Sequence, residues 1–285
     1  MKEIIINNLS YKYSLAENKA LNNISLEIEK GDFIGVIGPN KAGKSTFCKS
    51  LVGLIPHFYK GEFEGEILID DLNTLNSSIA EISLKVGLVF QDPFNQISGA
   101  KLSVYDELAF GLENNGVERE EMITRIDKYL DLMDLNEVKD NNPFELSGGQ
   151  MQRLAIASIM ALKPDVFVLD EPTSQLDPQG TEEVFKAVSR LREENLTVIL
   201  VSQKLNKLAD YANKILFLNQ GGIVAYDDTA AVFSRNDLEQ MGMGVPIYTE
   251  IARELELKNE KDQYPIRNSE LKEMLVAKYG KNIGK

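Results

Sequence analysis

The chain is poor in the residues that most often mark redox, metal or thiol chemistry: its 285 residues include one cysteine, Cys48, and one histidine, His57. A lone cysteine cannot close an intrachain disulfide, which excludes the stapled secreted scaffolds. One histidine cannot assemble a metal cluster, so His57 reads as a surface or packing residue. Cys48, with no histidine near it in sequence, reads as a small buried side chain rather than a nucleophile. Basic charge is also short, since 31 Lys and Arg face 44 Asp and Glu for a net charge of -13. That balance excludes the basic stripe of a nucleic-acid binder. No stretch approaches the roughly eighteen consecutive apolar residues of a membrane-spanning helix, so any link to a bilayer is expected to run through another protein. Met1-Lys2-Glu3-Ile4 lacks the build of a signal peptide, and a cytoplasmic placement is expected. Internal repeats and low-complexity tracts are missing as well.

What is present alternates. Ile4-Ile5-Ile6, Ile24 to Ile28, Phe33 to Ile37 and Gly65 to Ile69 are short β-type runs and suggest a β-rich amino-terminal layer. Val86 to Phe90, Val166 to Leu169 and Val198 to Val201 are uniformly apolar, as strands of a parallel sheet covered on both faces should be. Glu118 to Leu135 carries Met122, Ile126, Tyr129, Leu130 and Met133 at helical spacing, and Gly148 to Leu162 and Thr181 to Glu194 read as further helices. Lys214 to Leu218 and Ile223 to Tyr226 flank a Gln220-Gly221-Gly222 turn, a hairpin that would close the core. Residues 231–285 read as a mostly helical appendix, with Ser269 as a cap and Gly280 as a stop. It is expected to cover the main domain; a dimerising or regulatory element is the alternative.

Gly38-Pro39-Asn40-Lys41-Ala42-Gly43-Lys44-Ser45 has the spacing of a phosphate loop, follows a strand and opens the helical run from Thr46. Glycines let such a loop turn its amides toward phosphate oxygens, and the positive helix end adds field of the right sign. Lys44 is expected on the β and γ phosphates and the Ser45 hydroxyl on Mg2+. A chance match is expected on the order of once per hundred chains of this length. Asp170 and Glu171 end a buried strand, where one carboxylate can serve the metal shell and the next can orient or deprotonate water. Gln91, at the end of another strand, offers an amide oxygen to the metal or the water. Ser147, Gly148, Gly149 and Gln150 open a helix and form a second anion-reading surface.

In this order the motifs resemble those of an ATP-binding cassette ATPase over residues 1–230. The resemblance implies an α/β P-loop NTPase fold. Its parts would be a mixed parallel core sheet, an amino-terminal antiparallel β layer, a helical signature subdomain over about residues 92–162, and the carboxy-terminal appendix. It implies ATP and Mg2+ as ligands and a head-to-tail pair of cassettes, in which Ser147 to Gln150 act on the partner's nucleotide. Tyr13 would stack on adenine, although Tyr11 and Tyr13 could equally share one face of an edge strand. Gln91 would contact the membrane partner, and Ser174-Gln175-Leu176-Asp177 would couple the two sites. The finer likeness is to energy-coupling factor transporters, which import vitamins and transition-metal ions. It rests on Val89 to Gln96, on Gly53 to His57 leading to Gly61 to Gly65, and on the appendix. It implies a second ATPase, a different protein being favoured, a transmembrane scaffold and a substrate-binding membrane subunit.

Three positions depart from the pattern. Phe94 replaces the more usual acidic residue, Lys41 the common glycine, and Gln203 the histidine that reads the terminal phosphate. Gln203 can donate a hydrogen bond but cannot become cationic. Losing a transition-state donor of that kind would cost roughly 2 to 4 kcal/mol. A slow own site, or a subunit that regulates more than it hydrolyses, is therefore an alternative to a full ATPase. A cassette of DNA repair or translation is a third, against which stand the missing coiled-coil insertion and second cassette.

Overall fold

The computed structural model describes residues 2–193 and 196–280. Four strands, β1 (Lys2–Tyr13), β2 (Leu21–Glu29), β4 (Gly61–Ile69) and β5 (Leu72–Asn73), form an antiparallel sheet in the order β2-β1-β4-β5. Six more, β3 (Phe33–Ile37), β6 (Val86–Val89), β7 (Val166–Asp170), β8 (Thr197–Val201), β9 (Lys214–Asn219) and β10 (Gly222–Asp228), form the second sheet in the order β10-β9-β3-β8-β7-β6. All neighbours in it run parallel except the β9-β10 hairpin at one edge.

The helices are α1 (Lys44–Leu51), α2 (Leu54–His57), α3 (Ile79–Ser83), α4 (Val104–Asn114), α5 (Arg119–Leu132) and α6 (Gly148–Ala161). They continue with α7 (Pro178–Glu193), α8 (Leu205–Tyr211), α9 (Thr229–Phe233), α10 (Ile247–Glu254) and α11 (Asn268–Tyr279).

The uninterrupted apolar runs are explained by a divided core. Side chains alternate across a strand, so Phe167 and Leu169 of β7 pack with α4 to α7, whereas Val166 and Val168 pack against α1 and the antiparallel sheet. Each fully buried side chain of this size contributes about 1.5 to 3 kcal/mol, and two covered faces double the number per strand. On α5 the buried residues Ile126, Tyr129 and Leu130 fall at the expected helical spacing.

Phe33 to Ile37 departs from expectation. It joins the parallel sheet between β8 and β9 rather than the amino-terminal layer. All five of its residues are buried, which is the pattern of a strand covered on both faces. The edge-strand alternative for Tyr13 departs as well, because β1 is flanked by β2 and β4.

Residue 230, where sequence places the end of the cassette, lies inside α9. Beyond it, Ala252, Leu257 and Leu271 form a small cluster of their own. Arg253 reaches back to the carbonyls of Phe233 (3.1 Å) and Arg235 (2.6 Å). The α11 start is corrected too: the helix begins before Ser269, and Glu270 closes it by accepting from the amides of Ile266 (2.8 Å) and Arg267 (3.3 Å). A carboxylate at the third helical position reaches back to the amides at and before the cap, which sets the helix start at Arg267 and Asn268 rather than at Ser269.

Candidate functional site

β3 delivers the chain into the loop Gly38, Pro39, Asn40, Lys41, Ala42 and Gly43, and α1 begins at Lys44. Gly43 occupies the cap position with φ 104°, and no side chain caps this helix. A Cβ there would lie 2.6 Å from the Ala20 carbonyl oxygen, so only glycine fits both the backbone and the space. Lys41 has φ 66°, which accounts for glycine being the common choice at that place. Its side chain is exposed, the outward disposition of a solvated lysine. Lys44 is buried, and its ammonium donates to the carbonyls of Gly38 (2.8 Å) and Pro39 (3.0 Å), drawing the loop around itself. The loop from Asn40 to Thr46, with Glu171, borders a cavity of about 310 Å³.

Asp170 ends β7 beside this loop. The Ser45 side chain lies close enough to hold its carboxyl pKa down. One carboxylate oxygen, Oδ1, is buried without a hydrogen-bond partner among the described residues. Burial raises the Asp170 pKa; Ser45 opposes this, Glu171 adds to it, and Lys49 and Lys44 oppose it further. Glu171 has φ 51°, a left-handed backbone held by its amide's bond to the Val201 carbonyl at 3.0 Å. Such non-glycine outliers gather at functional sites. The Gln203 amide donates to both Glu171 oxygens, at 3.2 and 3.3 Å.

Cys48 lies on the buried side of α1, where burial pushes its thiol well up and keeps it neutral. His57 bonds the Thr74 carbonyl at 2.7 Å, a packing role. The Tyr13 hydroxyl lies 3.2 Å from the Thr46 hydroxyl, and its ring meets Tyr11 edge-on at 4.8 Å. Gln91 follows β6 and donates to the Ser174 hydroxyl at 3.1 Å. This bond joins the loop after β6 to the loop after β7 rather than to the Ser45 and Asp170 pair.

Ser147 caps α6. Its hydroxyl accepts from the Gln150 amide (3.3 Å), and the Gln150 side chain accepts from the Ser147 amide (3.0 Å). Asp177 accepts from the Gly180 amide (2.7 Å) at the start of α7. The two helix starts lie together because Gly149 faces Gly180: a Cβ on Gly149 would lie 3.3 Å from the Gly180 Cα. Ser147, Gly148 and Gly149 on one side, with Asp177 and Gly180 on the other, border a second cavity of about 320 Å³. Glu183, which also lines it, forms an ion pair with the buried Arg153. Sequence reading placed Ser174 in the coupling loop but not its bond to Gln91, and it gave Lys204 no role. The only signal for Lys204 was its place next to Gln203.

A family model described as ABC transporter matches residues 21–174, from β2 through the loop after Asp170. The chain belongs to the ABC transporter family. A putative ABC transporter ATP-binding protein of Pyrococcus abyssi is 46% identical over 257 residues, covering 90% of this chain and 91% of that protein. The energy-coupling factor transporter ATP-binding protein EcfA1 of Streptococcus sanguinis is 37% identical over 255 residues, 88% of either chain. The structure of cbiO1 from Clostridium perfringens, described as part of the ABC transporter complex cbiONQ, matches with a TM-score of 0.73 at 28% identity, covering 90% of this chain and 99% of that one.

Family membership makes the chain an ATP-binding subunit of an ABC transporter and carries ATP hydrolysis with it. The expected α/β P-loop NTPase fold is borne out by the two sheets, with their antiparallel and parallel strands. Among the described residues no helix is long and apolar enough to cross a membrane.

Proposed function

We propose that this chain is the ATP-hydrolysing subunit that drives solute uptake by an energy-coupling factor type transporter, whose cargo is a vitamin or a transition-metal ion. The observation that carries the reading is one convergence: the uncapped phosphate loop, the Ser45 and Asp170 pair, and Glu171 held by Gln203 meet at one end of the parallel sheet. The subfamily is supported by relatives named for energy-coupling factor transporters. The membrane partner is supported by an apolar groove of about 180 Å³ beside the edge strand β6, between Leu54, Ile79, Phe90 and Leu162, close in sequence to Gln91.

On this reading Lys44 exchanges its two loop carbonyls for phosphate oxygens, Thr46 and the loop amides assist, and Tyr13 meets the adenine. The buried, partnerless Oδ1 of Asp170 beside the Ser45 hydroxyl is a hard-oxygen donor set that fits Mg2+. Gln91 would come to that shell by leaving Ser174. Mg2+ would neutralise phosphate charge there. Glu171 orients and deprotonates the attacking water, and Gln203 contributes a neutral hydrogen bond. Ser147, Gly148, Gly149 and Gln150 serve the nucleotide of a second cassette, a different chain being favoured, and Asp177 couples the sites. The appendix after residue 230 covers the cassette. The assembly sits on the cytoplasmic face of the membrane, joined to a scaffold subunit and a substrate-binding subunit.

A second reading, a slow regulatory subunit, is favoured by one observation: both Glu171 oxygens are occupied by the Gln203 amide. Purification through an affinity tag tests the leading reading. It should bring down a second ATPase and a transmembrane subunit, with ATP hydrolysis in the complex. A chain recovered without membrane protein would overturn it.

A further inference from the structure

Lys204 stands one residue beyond the place where a cationic histidine is missing, and its charge does not substitute for that histidine. The ammonium donates to the Thr173 carbonyl (3.2 Å) and the Thr181 hydroxyl (2.5 Å), neither of them in the phosphate loop. Thr173 lies two residues after Glu171, and Thr181 is buried on α7, whose first turn is capped by Asp177. One ammonium therefore bridges the water-activating loop and the helix that borders the signature cavity.

Both acceptors are neutral oxygens, and burial lowers the pKa of this amine. Glu182, the carboxylate whose charge acts on it, is paired with Lys207. A half-buried cation hydrogen-bonded only to neutral oxygens gives little net stability, so stability alone does not account for the arrangement. The segment it secures needs a support. β8 ends at Val201, and the Gln203 amide meets Glu171 through long bonds on the exposed side of the loop. The Lys204 amide is itself fixed to the Ser202 hydroxyl at 3.1 Å, so backbone and side chain of one residue pin both ends of the turn that carries Gln203.

We propose that Lys204 is a positioning residue that holds Gln203 against the Glu171 carboxylate and makes that contact depend on the seating of α7. The proposal rests on the reading of Glu171 and Gln203 given above. A cavity of about 620 Å³ between Lys204 and the appendix residues Val245 and Ile247 leaves room for altered side chains.

The test uses the complex purified through this chain and compares kcat and KM for ATP in wild type, K204M, K204R, Q203A and the Q203A/K204M double variant. K204M should lower kcat by about ten- to a hundredfold, since a 1 Å misplacement of a catalytic contact can cost about a hundredfold, with KM unchanged. K204R, which can still donate to both oxygens, should recover most of the loss. The double variant should match Q203A. Should K204M not fold, T181V removes one acceptor instead and should lower kcat in the same direction. Wild-type kcat in K204M, or losses that multiply in the double variant, would overturn the proposal while leaving the Gln203 reading standing. Wild-type kcat in Q203A would overturn that reading and the proposal with it.

Discussion

The helices α1 and α6 each begin at a cavity of nearly the same size, about 310 and 320 Å³, yet the two differ in every charge that matters. At α1 no side chain caps the helix, a buried lysine stands at the first position, and a partnerless carboxylate oxygen waits beside a serine. At α6 the serine already caps the helix through its reciprocal bonds with Gln150. The described residues lining that cavity include Asp177 and Glu183 but neither lysine nor arginine. Both helix ends carry the same sign of dipole. The first site can hold a triphosphate by itself, because its donors are free and its lysine supplies charge. The second presents Asp177 and a Glu183 already paired with Arg153, and offers a bare anion no free cation. On the proposed reading it is half a site, completed by a nucleotide that another chain holds.

Substitutions can break or sharpen this contrast. The largest effect belongs to E171Q, which should lower hydrolysis by about two to four orders of magnitude while leaving ATP bound and the dimer closed. Parental activity would remove Glu171 from catalysis. Q203H restores a cationic donor and should raise turnover in the complex, by as much as about two to three orders of magnitude if the missing donor is rate-limiting. An unchanged rate would mean that the loss at 203 is already compensated. S147A acts on the other helix: it should cost about 1 kcal/mol of stability as a lost cap, lower hydrolysis in the complex, and leave this chain's own ATP affinity intact. Smallest is K41G. Relief of about 1 to 2 kcal/mol of left-handed strain is offset by about 1 kcal/mol of added chain entropy. The melting temperature should barely move, and ATP affinity should stay within about twofold because the Lys41 side chain faces solvent.

The phosphate loop, the acidic strand end and the signature were legible because each is a contiguous segment whose local geometry follows from glycine, capping and strand period. Gln203 was legible as a departure for the same reason. Phe33 to Ile37 went to the wrong layer because its short apolar run was grouped with neighbours in sequence, although five buried residues in succession mark a doubly covered strand. The bonds of Gln91 to Ser174 and of Lys204 to Thr173 and Thr181 join residues far apart in the chain. No periodicity encodes such pairs, since they arise only when the parallel sheet brings three loops to one edge. The α11 start was misplaced because Ser269 is a common cap residue, whereas the helix start is set by Glu270 reaching back to the Ile266 and Arg267 amides.

The division of labour between the two helix starts is tested most directly by calorimetric titration of the purified chain with Mg-ATP, comparing wild type, S147A and K44A. One ATP per chain is expected for wild type and for S147A at matching affinity, with no binding to K44A. Loss of binding in S147A, or no binding to the wild-type chain, would contradict it.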